Sequence, residues 1–167
     1  GFWLSDGWIE KARGRVGFYS NSKPVVQDIA RILRERFTLD VPIREKRYTL
    51  QTTDGKTASR VGYKVGVSRD AFAQFLLVNF GIRGWDAWTK QIPQAIFRSP
   101  RAVVWAFVSG LIDGDGCVDQ HVNKVHYGST SPTLIEQLTL LLQHHGVFSR
   151  RLLDTEGGRG LVNGHRI

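Results

Sequence analysis

The sequence predicts an α+β chain built from two copies of one unit, and three observations carry that prediction. Helix-like stretches alternate with short strand-like stretches along the 167 residues. An almost wholly apolar run, Ala102 to Phe107, leads into Val108-Ser109-Gly110-Leu111-Ile112-Asp113-Gly114-Asp115-Gly116. The chain also matches itself at a shift of 109 positions, which carries Asp6 onto Asp115.

The apolar run predicts a helix buried on every side. Gly110 and Gly114 fall four apart on one face, where a missing Cβ lets another backbone approach. Asp115, just past the buried stretch, is then a rigid, deeply seated carboxylate and a good metal ligand. Asp113, Asp115 and Asp119 alternate as in a calcium loop, but the sixth and twelfth places of such a loop hold Val118 and Lys124, which excludes it.

The internal match begins at the first residue. Gly1-Phe2-Trp3-Leu4-Ser5-Asp6-Gly7 falls on Gly110 to Gly116. The same shift sets Ile9-Glu10 on Val118-Asp119, Arg15-Val16 on Lys124-Val125, and Phe18, Ser20 and Ser22 on Tyr127, Ser129 and Ser131. It then carries Val25, Val26, Ile29, Ile32 and Leu33 onto Leu134, Ile135, Leu138, Leu141 and Leu142, with no gap. Asp113 has Leu4 as its counterpart, so it belongs to no symmetric pair and is expected to act as a helix-end cap.

Residues 8 to 20 predict a strand, a turn at Gly14 and a second strand from Arg15 to Ser20. Val16 and Phe18 point one way there; Arg15, Gly17 and Tyr19 point the other. Ser22 and Pro24 start a helix to about Arg36, with Val25, Ile29, Ile32 and Leu33 inward. Residues 41 to 51 and 59 to 68 form a hairpin about Thr53-Asp54-Gly55-Lys56. Val61, Tyr63, Val65 and Val67 alternate with Arg60, Gly62, Lys64 and Gly66, so one face is core and the other basic and small.

A helix from Arg69 to Phe80 follows, ended by Gly81, and then Trp85 and Trp88 as core or hinge-packing residues. In the second unit, residues 117 to 129 form two strands with Asp119, His121 and Asn123 on the ligand side and His126 beside Lys124. Ser131 caps a helix to about His145, and Gly146 ends it. His144 and His145 lie where a helix C-terminus favours positive charge, and they read as no metal site.

The net charge is +8, from 23 Lys and Arg against 15 Asp and Glu, which favours a polyanionic partner such as nucleic acid. The cations lie in strand-like stretches: Lys11, Arg13 and Arg15, then Arg44, Lys46 and Arg47, then Arg60 and Lys64, with Arg150, Arg151 and Arg159 later. A sheet with helices on one side and Arg, Lys and Gly on the other offers duplex DNA a broad surface, its glycines letting the DNA backbone approach. The single cysteine, Cys117, rules out a disulfide framework and a CxxC metal site. No apolar run reaches the length of a membrane span, and no signal peptide is visible. There is no methionine, and the first motif begins at its third letter, so the chain is expected to be a piece of a longer one.

Val108 to Gly116 resembles the motif of the LAGLIDADG homing endonucleases, with Val for Leu, Ser for Ala and Gly for Ala. Lys90-Gln91-Ile92-Pro93, 25 residues before Asp115, resembles the Lys-x-Ile-Pro block of the intein-encoded members. The resemblance covers the whole chain. It implies two pseudo-symmetric αββαββα-like halves, residues 1–100 and 101–167, with the motif helices side by side at their interface. Ser5 and Gly114 are both small, which suits that contact. Counterparts of Lys64 and Lys90 would fall at 173 and 199, so the second half is expected to lack its last strands, final helix and lysine within these 167 residues.

The resemblance also implies a monomer that cuts both strands of a DNA target, with magnesium (or manganese) held by Asp6 and Asp115, and by Gly7 and Gly116 next to them. Lys90 would lie at the catalytic centre, with Lys64 a weaker candidate for that task. Lys11, Arg13, Arg15, Tyr19, Arg44, Lys46, Arg60 and Lys64 would contact DNA from the first half, and His121, Asn123, Lys124 and His126 from the second. A catalytically idle DNA-binding relative and an RNA maturase are the alternatives. The ends Gly1 and Ile167 offer no splicing residues, so self-splicing is not predicted.

Overall fold

The first unit is a four-stranded antiparallel sheet with two helices on one face. The computed structural model of the chain describes residues 1–10, 14–51, 55–80, 87–121, 123–152, 161–162 and 165–166. Lys11, Arg13, Thr53, Asp54, Gly81, Trp85 and Arg159 lie outside them. Helix α1 (Phe2–Asp6) passes straight into β1 (Gly7–Glu10), which turns back as β2 (Arg15–Ser20). Helix α2 (Lys23–Phe37) leads to the ribbon β3 (Arg44–Gln51) and β4 (Thr57–Ser68), and α3 (Asp70–Phe80) closes the unit. The strand order is β1-β2-β4-β3.

The alternation read along the fourth strand holds. Val16, Val65 and Val67 are buried with Val26, Ala30 and Leu33 of α2 and Phe72 and Ala73 of α3. The register places Arg15 opposite Ser68, Tyr19 opposite Lys64 and Lys64 opposite Arg44 on the other face, with Lys46 opposite Gly62 and Tyr48 opposite Arg60. The inner stripe of α2 differs from the expected one. Val26, Ala30 and Leu33 are buried at i, i+4 and i+7, whereas Ile32 is 45% exposed.

Helix α2 ends on Thr38, whose φ of 55° is left-handed and whose N–H donates to the Arg34 carbonyl, while the Leu39 N–H donates to the Leu33 carbonyl. A β-branched residue strains that position, whereas glycine fits it. Thr38→Gly is expected to raise stability by about 0.5–1 kcal/mol, the relief of strain less glycine's extra chain entropy. The melting temperature would rise by roughly 2–4 °C.

After the short α4 (Gln94–Phe97), the second unit repeats the first. Helix α5 (Arg101–Asp115) runs straight into β5 (Gly116–Asp119), followed by β6 (Lys124–Tyr127) and α6 (Pro132–His144). Two-residue strands β7 (Leu161–Val162) and β8 (His165–Arg166) pair near the end. The 109-residue shift holds in the backbone: Gly7 pairs with Phe18 and Trp8 with Gly17, while Gly116 pairs with Tyr127 and Cys117 with His126. Gly14 and Asn123, equivalent under the same shift, both have positive φ, 55° and 50°. Glycine and asparagine are the residues that tolerate such a turn.

The units differ in how their helices pack. Leu134, Leu138 and Leu141 are buried in α6, one residue out of phase with Val26, Ala30 and Leu33 of α2. Helix α6 is therefore turned so that its leucines join Leu4, Ile92, Ile96, Phe107 and Leu111 in a second core cluster, rather than the face of a wide sheet. The β5–β6 hairpin is open on that side, with Val118 and Val125 about 60% exposed.

Three local expectations change. Helix α5 is not buried all round: Val104, Phe107, Val108 and Leu111 are buried but Val103 is 45% exposed. Trp88 is exposed rather than core. Asp113 is an exposed residue in the last turn of α5, which continues through Asp115, so it does not cap the helix. Among the described residues, no helix is long and apolar enough to cross a membrane.

Candidate active site at the paired motif helices

Glycines bring α1 and α5 into backbone contact. A Cβ on Gly110 would lie 2.6 Å from the Phe2 amide nitrogen, and one on Gly114 would overlap Ser5. Gly1 abuts the Phe107 carbonyl in the same way. Gly1 thus meets Phe107 while Ser5 meets Gly114, so the helices run in the same direction and end together. The Ser5 hydroxyl donates to the Leu111 carbonyl at 3.2 Å and ties the two final turns.

Both helices then break into extended backbone at a glycine, φ −81° at Gly7 and φ −91° at Gly116. Glycine is required at both places by space. A Cβ on Gly7 would strike the Trp3 carbonyl and ring, and one on Gly116 would lie 2.5 Å from the Ile112 carbonyl oxygen.

The ends carry Asp6 and Asp115. Asp6 is half-buried, and its carboxyl is raised above the usual aspartate range by desolvation first and by the charge of Asp115 second, with Lys90 opposing. Asp115 is exposed, which corrects the expectation of a deeply seated carboxylate.

Lys90 reaches this point from the connecting segment. Its Nζ donates to the Ser5 carbonyl oxygen at 3.3 Å, one of the carbonyls freed at the end of α1. The main chain of the segment is pinned to the start of α6. The Ser131 hydroxyl, fully buried, donates to the Lys90 carbonyl at 2.6 Å and accepts from the Leu134 amide at 3.2 Å. Gln137 Oε1 accepts from the Ile92 amide at 2.7 Å. Ser131→Ala would strip both partners in the interior and is expected to cost about 2–3 kcal/mol, read by denaturant unfolding. Its equivalent Ser22 makes no such cap, so Ser22→Ala is expected to stay within about 0.5 kcal/mol.

Tyr127 completes the group and was missed from the sequence, where it matched only Phe18. Burial pushes its phenol up to about 12, with the charge of Asp115 adding to the shift. Among the described residues the hydroxyl makes no hydrogen bond of ordinary geometry, yet Ser5 is close enough to oppose that shift. The signal available was the exchange of an apolar ring for one with a polar tip at a repeat position.

The basic sheet face holds Arg15, Tyr19, Arg44, Lys46, Arg60 and Lys64 together, as its register requires. Its glycines, however, are not open to an approaching backbone. Trp8 covers Gly17 and packs on Gly66, and the Tyr19 hydroxyl covers Gly62. Tyr19 also lies 6.4 Å from Tyr48, whose hydroxyl donates to Asn21 at 2.9 Å. Trp8 and Tyr48 were not singled out from the sequence.

In the second unit Cys117, Asp119, Lys124 and His126 share the equivalent face. His121 and Asn123 stand instead in the turn, where the His121 amide donates to Asp119 at 3.0 Å. Among the described residues, no cluster of three or more His, Cys, Asp or Glu surrounds a point that could hold a metal.

Fold and site together define a tandem α+β protein whose units meet through parallel acidic-ended helices beneath a basic sheet. The family model described as LAGLIDADG-like domain matches residues 1–77 and 102–164, and the chain belongs to that family. It is 28% identical over 158 residues to a DNA polymerase of Thermococcus hydrothermalis, covering 94% of this chain and 8% of that protein. It is 27% identical over 169 residues to the DNA polymerase II large subunit of Thermococcus kodakarensis, covering 98% of this chain and 8% of the relative. The replicative DNA helicase DnaB of Synechocystis is 28% identical over 94 residues, 53% of this chain and 11% of the helicase. The chain thus spans about a tenth or less of the length of these relatives.

Proposed function

We propose that the chain is a site-specific double-strand DNA endonuclease of the homing type. The observation that carries the proposal is the meeting of Asp6, Asp115 and Lys90 at the joined ends of α1 and α5. Carboxylates at helix C-termini stand at the negative poles of both macrodipoles, an arrangement that costs stability in isolation. Two such ends side by side, all-oxygen in their donors, fit a hard divalent cation. Asp6 and Asp115 would hold magnesium or manganese, with the main chain at Gly7 and Gly116 beside them. When bound, the metal supplies an acidified water and neutralises charge on the phosphate.

The chain's own groups do the rest. Lys90, anchored through Ser131 and Gln137, presents a cation where charge develops on the phosphorane oxygens. The basic face at Arg15, Arg44, Lys46, Arg60 and Lys64, with Tyr19, holds the duplex through its phosphates, and Lys124 and His126 extend it. We read residues 1–100 and 101–167 as the halves of a monomer with an internal pseudo-twofold; one core cluster lies within the first half, and the other joins α5 and α6 to Leu4, Ile92 and Ile96 of the first.

A segment shared with two polymerases and a helicase, and filling about a tenth or less of each, is distributed like an inserted unit rather than a polymerase domain. That distribution supports the intein-borne form of the proposal. The test is magnesium-dependent cleavage of a randomised duplex library. Specific double-strand cuts support the endonuclease. Tight binding without cuts, unaltered by Asp115→Asn, would refute it and leave a DNA- or RNA-binding relative.

A further inference from the structure

Trp8 lies across two glycines of the sheet. It stands opposite Gly17, which pairs with Gly66. A Cβ on Gly17 would run into the indole, and one on Gly66 would lie 3.6 Å from it. Lys64, two residues before Gly66 and on the same face, sets its Nζ over the ring, 4.0 Å from the centroid. The indole N–H is buried and makes no hydrogen bond among the described residues. What suits an indole to this place is therefore its face and not its polar edge. With glycines below and an ammonium above, the ring has no face left on which a base could stack.

The pair borders a cleft of ≈ 360 Å³ between the sheet and the connection at residues 39–42. Arg15, Arg44, Lys64 and Arg69 line it, with Asp40 as the one carboxylate among the described lining residues. Arg15 reaches Glu10 only at 3.9 Å. Four cations in one concavity repel each other and raise the local concentration of anions. A free lysine side chain explores many rotamers, and the ring removes that cost before a ligand arrives.

We propose that Arg15, Arg44, Lys64 and Arg69 form a seat for a backbone phosphate of bound duplex, with Trp8 the positioning residue that holds the Lys64 ammonium. This deepens the DNA-binding function proposed above and rests on it. Trp8 contacts no phosphate itself. It acts through Lys64.

The test is fluorescence anisotropy of the full chain on a mixed-sequence duplex of about 30 base pairs, titrated between about 50 and 300 mM salt. Lys64→Gln is expected to weaken binding roughly fivefold and to reduce the slope of log affinity on log salt by about 0.9, one phosphate contact. Trp8→Leu should do nearly the same, Trp8→Phe should restore part of the loss, and the double variant should stay within about twofold of Lys64→Gln. An unchanged slope in Lys64→Gln overturns the seat. Effects of Trp8→Leu that add to those of Lys64→Gln overturn the positioning role.

If Trp8→Leu does not fold, the Lys64 ε-methylene protons of the wild-type chain decide. An upfield ring-current shift supports the pair, and an ordinary shift refutes it. A wild-type chain that binds no duplex overturns the DNA-binding function, whereas wild-type binding together with one of the overturning outcomes above tells against this proposal alone.

Discussion

Asp115→Asn is expected to abolish double-strand cleavage, by at least about 10³-fold, while duplex affinity stays within about threefold. Asparagine keeps the shape of the side chain and removes its charge, and charge is what a divalent cation needs from this position. The basic sheet face, to which phosphate contact is assigned in the proposal, is unaffected. A second consequence reads out at Asp6. Its carboxyl is raised by burial and by the charge of Asp115, so the substitution should lower its pKa toward the ordinary aspartate range. Carbon-13 NMR titration of Asp6 measures this directly, and an unmoved Asp6 would mean that the carboxylates do not share a site.

The same shift fixes a sign for stability. A carboxyl raised on folding binds its proton more tightly in the native state. Below both pKa values Asp6 is neutral in either state and contributes nothing; above both, its ionisation opposes folding. Without metal, Asp6→Asn should therefore be more stable than wild type at pH 7. That advantage should vanish as pH falls below the ordinary aspartate value of 3.8. Metal loading needs the ionised form, so metal affinity should weaken with acid as the proton competes for Asp6. Melting curves across pH, for wild type and variant, test the first statement, and an advantage that grew in acid would refute it.

The second large effect lies between the helices. Gly110→Val is expected to destabilise the fold by about 3 kcal/mol or more. Two effects compete there. Replacing glycine inside a helix by a residue with a side chain gains up to about 1 kcal/mol of propensity. A Cβ 2.6 Å from the Phe2 amide nitrogen, however, meets backbone that cannot rotate away, so α1 and α5 must separate. The clash outweighs the propensity. Separation would also break the Ser5 to Leu111 hydrogen bond and spread the carboxylates, so cleavage should fall with stability. Gly128→Ala, where an added Cβ meets nothing within 4 Å, is the control and should stay within about 0.5 kcal/mol. Denaturant unfolding of both variants separates local crowding from a general intolerance of glycine replacement.

What the sequence determined by itself is local and periodic. The 109-residue repeat, the Asp-Gly helix ends, the alternation along Thr57–Ser68 and the turn at Gly14 all follow from the order of residues. Each depends on contacts or torsions near in the chain, or on a pattern the chain shows twice. The tertiary structure decided what depends on partners. Asp115 is exposed, although its sequence context is that of a buried helix end. Helix α6 turned one residue out of phase because its leucines meet α5 instead of a wide sheet. The glycines of the basic face accommodate Trp8 and Tyr19, residues no spacing rule connects to them. A sequence states which side chains share a face; which of two faces is covered, and by what, is set by packing between elements far apart in the chain.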